Sequence, residues 1–195
     1  MHGLVNCAIQ RFVQDAYGPE IWQQVARQAD LPFPEFEAML TYDDALTPRV
    51  LDAVASCLDR PRVDVMEDIG TYLVSHSNTE ALRRLLRFGG VDFVDFLHSL
   101  DDLPERARLA VPDLVLPDLE LYETGINEFR LQCQALVAGF GHVMIGVLRS
   151  LADDYGVLAL LDLERTDGVS ETITIHLIET DFSAGRSFEL GAQSA

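Results

Sequence analysis

Apolar residues recur at helical spacing through the first two thirds of the chain. Leu4, Val5, Ala8, Ile9, Phe12 and Val13 form one apolar face over residues 3–16. Tyr17-Gly18-Pro19-Glu20 ends that helix and opens a second, with proline in the first turn, where its missing N–H costs nothing. Ile21, Trp22, Val25 and Ala29 carry the second face, and residues 31–36 read as a loop. Thr47-Pro48 signals an N-cap and a helix running to about Leu58. Arg62 to His76 predicts another long helix. Thr79 is expected to cap a short one reaching Phe88, where Gly89-Gly90 stops it. Val91 to Leu103 is amphipathic, and Leu103-Pro104 is expected to interrupt it, because proline disfavours helix in the residue before it.

The period changes after Pro112. Leu119–Tyr122 and Asn127–Val137 read as strands about Thr124-Gly125, and Phe140 to Tyr155 as an apolar helix. Val157–Arg165 and Glu171–Glu179 read as two more strands, joined across the hairpin signal Asp167-Gly168. In the last, Ile173, Ile175 and Leu177 face one way and Thr172, Thr174 and His176 the other. The pattern predicts an α+β protein: an N-terminal helical lobe over residues 1–60, then helices and a four-stranded antiparallel sheet with an inserted helix over 61–182. Residues 1–182 form the single domain, and 183–195 a small, polar, flexible tail.

A hydrophobic fraction of 48% over 195 residues supports a real core. Charge changes the picture. The 14 basic residues are all arginine, with no lysine, against 32 acids, for a net charge of −18. Such a surface repels phosphates, which argues against nucleic acid and anionic membranes as partners. No apolar run approaches the ~20 residues needed to span a bilayer, and the N-terminus lacks the basic region of a signal peptide. Cys7, Cys57 and Cys133 are odd in number and widely spaced, which predicts reduced thiols and a cytoplasmic location. There is no GxxxxGK[ST], GxGxxG, HExxH, CxxC or GxSxG, so no enzyme is expected. The paired acids Asp43-Asp44, Asp101-Asp102 and Asp153-Asp154 follow no calcium-loop pattern.

Several segments together carry a resemblance. They are Met1-His2-Gly3-Leu4-Val5-Asn6, Tyr17-Gly18-Pro19-Glu20-Ile21-Trp22, Tyr42-Asp43-Asp44, the phenylalanine-bearing Val91–Leu103 stretch, Val111-Pro112-Asp113-Leu114, and Val143-Met144-Ile145-Gly146. In these the chain resembles the heme-nitric oxide/oxygen binding (H-NOX) family, which includes the heme domain of soluble guanylate cyclase. The resemblance spans about residues 1–180 and implies the same element order. It also implies heme b, held by a proximal histidine in a Leu-Asp-x-Leu-His run and by a Tyr-x-Ser-x-Arg motif at the propionates.

This chain departs from the family at both devices. The run reads Leu100-Asp101-Asp102-Leu103-Pro104, and Pro104 has no lone pair for iron. The propionate motif falls on Cys133, Ala135 and Val137, which on one strand face supply neither hydroxyl nor guanidinium. The resemblance therefore implies lost canonical heme ligation. Val5, Ile9 and Val143 match positions that line the family's distal side. With Leu97 and Leu100 they are expected to border an elongated cavity suited to an apolar ligand such as a fatty acyl chain, the alternative being plain core. His76 and His142 are the candidate substitute ligands, while His98 is expected to pair with Asp95 and Asp102.

The resemblance implies a non-enzymatic sensory or regulatory protein acting on a partner in trans, a histidine kinase or a cyclic-di-GMP enzyme. No catalytic domain follows residue 195 of the sequence, so output is expected through a separate chain. Two alternatives stand beside it. One is a nitric oxide sensor with a substitute axial ligand, its distal Val143 favouring nitric oxide over oxygen. The other is an apolar-ligand (lipid) binding module.

Overall fold

The computed structural model describes residues 1–134, 137–165 and 170–186. Four helices come first: α1 (Gly3–Tyr17), α2 (Pro19–Gln28), α3 (Leu46–Leu58) and α4 (Arg62–Ser75). After a single 3-10 turn come α5 (Glu80–Arg87), α6 (Phe93–His98) and α7 (Leu103–Ala110). Strands β1 (Asp118–Gly125) and β2 (Glu128–Gln134) precede α8 (Phe140–Tyr155), and β3 (Leu158–Arg165) and β4 (Ser170–Glu179) follow it. This is the expected α+β architecture.

Helix starts depart most from the sequence pattern. The His2 imidazole accepts the Leu4 N–H at 3.2 Å and caps α1, a role histidine seldom takes. Thr47 does not cap α3; its hydroxyl donates to the buried Asn6 carboxamide oxygen at 2.7 Å and ties α3 to α1. The Thr79 hydroxyl donates instead to the carbonyls of Tyr72 and His76. The Val91–Leu103 stretch is not one helix. Asp92 caps α6 through the Asp95 N–H, and α6 ends at His98. Leu103-Pro104, expected to break a helix, opens α7 instead, because a first-turn N–H has no intrahelical partner to lose.

The sheet is wholly antiparallel, in the order β1-β2-β4-β3. Its register stacks Leu119 on Cys133, Leu131 on Ile173, and Ile173 on Leu163. Burial along β4 alternates as its sequence predicts, with Ile173, Ile175 and Leu177 inward. The Asp167-Gly168 turn lies outside the described residues. The described part of β2 reaches Gln134, paired with Asp118 of β1 and Ser170 of β4, and Val137 lies outside the strand.

Two apolar cores result. The inner sheet face packs on α6 and α8 through Phe93, Phe96, Leu97, Leu131, Leu148 and Leu151. The helical core gathers Phe12, Val13, Trp22, Val25, Val50 and Val54. Val65, Met66, Ile69 and Tyr72 of α4 also pack into the helical core. The α4–α8 crossing joins the cores. A Cβ on Gly70 would lie 2.0 Å from the Val143 carbonyl oxygen, and one on Gly146 would lie 2.1 Å from that of Glu67. The two helices therefore meet backbone to backbone.

The expected tail is partly held. The Ser183 N–H donates to the Gly156 carbonyl at 3.0 Å and the Arg186 N–H to that of Asp154 at 2.8 Å. Arg186 and Arg83 both pair with the Asp154 carboxylate, which is 2% exposed. Residues 187–195 lie outside the described residues.

Candidate functional site

Pro104 is buried in the first turn of α7, beside Leu103 and Ala107. The junction before it is closed by protein groups: Arg106 donates to the Ser99 carbonyl at 2.9 Å, tying α7 to the end of α6. At this position the chain offers carbon atoms and no donor to a metal.

Of the three positions that the resemblance matches to the propionate motif, Cys133 and Val137 do not share one strand face. Cys133 is on the inner face of β2 with no exposed surface, in the sheet core. Val137 follows the strand and packs against the helical core. Ala135 lies outside the described residues. Burial, with the Glu171 carboxylate nearby, pushes the Cys133 thiol up to about 12, so it stays protonated.

Glu171 stands opposite Cys133 in the β2–β4 ladder and is 6% exposed. Its carboxylate accepts the N–H groups of Gly139 at 3.0 Å and Gly141 at 2.7 Å. These are orphan donors at the start of α8, where the helix dipole favours an anion. Sequence reasoning missed Glu171. Its one visible signal was an acid at an inward position of the alternating last strand.

The five residues expected to border one cavity fall in two places. Leu97 and Leu100 are in the sheet core, while Ile9 is in the helical core with Val143 packed against it. Val5 is half-buried on α1. Leu97 and Leu100 are each 0% exposed. A gap wide enough for water beside either side chain would leave some of its surface open. Leu97, on α6, and Leu100, in the turn after it, are thus packed onto the sheet and leave no open space of their own to share with Ile9 and Val143.

Each histidine has a defined setting. The His76 Nδ1 accepts the Asn78 N–H at 3.3 Å and lies 3.7 Å from the Asp15 carboxylate, with the ring against Tyr72. His142 is half-buried in the first turn of α8. His98 pairs with Glu123 on β1 at 2.9 Å and sets its ring edge-on to Phe129, not with Asp95 and Asp102. The β1 edge draws it across. His176 lies 3.7 Å from Glu128. Among the described residues no three His, Cys, Asp or Glu side chains converge as a metal site, and no helix is long and apolar enough to cross a membrane.

Comparison with known proteins places the fold. The Haem-NO-binding family profile matches residues 2–158. The chain belongs to this family, whose members are heme-based gas sensors (the H-NOX proteins). It is 24% identical over 155 residues to soluble guanylate cyclase 89Da of Drosophila melanogaster, covering 80% of this chain and 23% of that one. It is also 24% identical over 188 residues to soluble guanylate cyclase gcy-31 of Caenorhabditis elegans, covering 94% and 27%. The chain thus spans about a quarter of the length of these relatives. Among solved structures, the Fe(II) unliganded H-NOX protein of K. algicida superposes with a TM-score of 0.78 at 19% identity, covering 92% of this chain and 97% of that one. The Fe(II)NO form of an H-NOX protein from S. oneidensis superposes with a TM-score of 0.72 at 17% identity, covering 91% and 99%. At such identities the superpositions establish the fold.

Proposed function

We propose that this chain is a non-catalytic regulatory module of the H-NOX fold that does not hold heme by the family's route and passes its signal to a partner protein. One observation carries the reading: Pro104, which the resemblance matches to the family's proximal histidine, is a proline buried in the first turn of α7. A bound heme would supply an iron that takes up nitric oxide, and the donor set here does not fit that iron. Proline has no lone pair to give, and the Cys133 thiol is held in its protonated form. The zero exposure of Leu97 and Leu100 supports a space filled by side chains rather than by heme or a lipid. With the iron bond gone, the trigger for any movement at the α4–α8 crossing lies outside the family's heme chemistry. A histidine kinase or a cyclic-di-GMP enzyme remains the proposed partner class, in a cytoplasmic setting.

The test is to restore the ligand. Pro104→His supplies an imidazole but leaves propionates unpaired, so weak and non-stoichiometric heme uptake is expected. Adding Cys133→Tyr, Ala135→Ser and Val137→Arg should tighten it. If wild type takes up heme as tightly as these variants, the reading fails.

A further inference from the structure

The outer face of the sheet is covered by no described element; α6 and α8 both pack on the inner face. Outward positions on β1 and β2 are Glu120, Tyr122, Glu128 and Arg130, and on β3 and β4 Leu160, Asp162, Thr174 and Ile178. At one end this face carries large aliphatic side chains beside the outward His176–Glu128 pair. Leu160 stands opposite His176, and Ile178 is the next outward residue on β4, within diagonal reach of Leu160. Leu160 is 55% exposed and Ile178 57%. The β1–β2 turn arrives at the same end, where the Leu177 N–H donates to the Asn127 carbonyl at 2.9 Å. It brings Ile126, 94% exposed, and Phe182 follows just beyond β4 at 58%. Single exposed aliphatics are ordinary, but four large ones gathered at one end of an uncovered sheet are not.

Charge selects the occupant. Asp118, Glu120, Glu128, Asp162 and Glu164 face outward on the same sheet, against Arg130 as the one outward arginine among residues with described side chains. A second copy would set these carboxylates against its own, with −18 on each chain. An anionic bilayer would be repelled likewise. Halfway along the face, the Thr174 hydroxyl is buried between the Arg130 and Asp162 strands with no hydrogen-bond partner. We infer that the outer sheet face is a docking surface for a lysine- and arginine-bearing amphipathic segment of a partner protein. Its aliphatic side seats on Ile126, Leu160 and Ile178, and its cations meet the flanking carboxylates.

This inference rests on the reading that output passes to a partner, but its test is independent of heme. Two synthetic amphipathic helical peptides with one leucine pattern are titrated into isotope-labelled protein, one carrying lysine and the other glutamate on its polar side. Amide shifts are then mapped. The lysine peptide is expected to shift β3, β4 and the β1–β2 turn, and the glutamate peptide to shift nothing. Leu160→Ser with Ile178→Ser, both on the open face, should weaken binding about tenfold without disturbing other resonances. Shifts centred on the helices would overturn the surface while leaving the partner reading in place. No shifts with either peptide would also overturn it. So would concentration-dependent shifts of the same face without peptide, which would make the occupant a second copy.

Discussion

Glu171 lies directly across the β2–β4 ladder from Cys133, and its carboxylate closes the start of α8 by accepting the N–H groups of Gly139 and Gly141. An acid buried in a sheet core is costly unless its oxygens are satisfied. Here both are, by main-chain donors on another element. The contact pins β4 to α8 beside the positions where the family's propionate motif would fall.

Removing that carboxylate should be felt. Glu171→Ala leaves two buried N–H groups unpaired and should cost about 1–3 kcal/mol. For a chain of this length the melting temperature should fall by about 2–4 °C per kcal/mol. Glu171→Gln, which keeps one oxygen acceptor, should lose less. Equal melting temperatures for Glu171→Ala and wild type would show that the contact contributes nothing.

The α4–α8 crossing should tolerate no side chain. Gly146→Ala would place a Cβ 2.1 Å from the Glu67 carbonyl oxygen, a backbone atom that can yield only by moving a helix. Overpacking of this kind costs about 1–3 kcal/mol or more. Chemical denaturation of Gly146→Ala should show a clearly lower midpoint than wild type, whereas Gly125→Ala, at the sheet edge, should change little.

The Asp15 carboxylate of α1, bonded to Tyr72 near the end of α4, should make stability acid-sensitive. The Tyr72 hydroxyl donates to Asp15 at 2.5 Å and the Asn78 amide at 2.9 Å, and both hold the Asp15 carboxyl below its ordinary range. A depressed acid stabilises the fold above its unfolded-chain value of about 3.9. That contribution is lost as pH falls through the lower folded value. Tyr72→Phe should therefore lower the denaturation midpoint at neutral pH, and the gap to wild type should narrow toward pH ~2. A gap independent of pH would place the loss in packing alone.

Thiol chemistry should separate the three cysteines. Burial raises all three thiols, and Cys133 most, up to about 12. With a neutral disulfide reagent at mildly alkaline pH, half-buried Cys7 and Cys57 should react first. Cys133 should be at least about a hundredfold slower until the protein unfolds. Fast labelling of Cys133 in folded protein would contradict its burial.

What the sequence made legible is local. The period-two alternation of β4 and both ends of α8 could be read directly, because Gly139 and Gly156 flank the helix at positive φ. The α6–α7 break was misplaced, since Leu103-Pro104 reads equally well as a stop or as a first turn. The role of Glu171, the partner of His98 and the sorting of Leu97, Leu100, Ile9 and Val143 between two cores depend on contacts between distant elements. No spacing along the chain encodes these. Pro104 stands out only because the resemblance matches it to the family's proximal histidine, and the structure adds that the proline lies in the first turn of a helix.

The central claim, that this H-NOX fold holds no heme by the family's route, is tested most directly by the visible spectrum of wild-type protein produced with ample heme and passed through gel filtration. The account predicts a colourless protein without a stoichiometric Soret band. A stoichiometric band that survives gel filtration would contradict it, and loss of that band in His76→Ala or His142→Ala would identify the side chain that ligates iron in place of the family's proximal histidine.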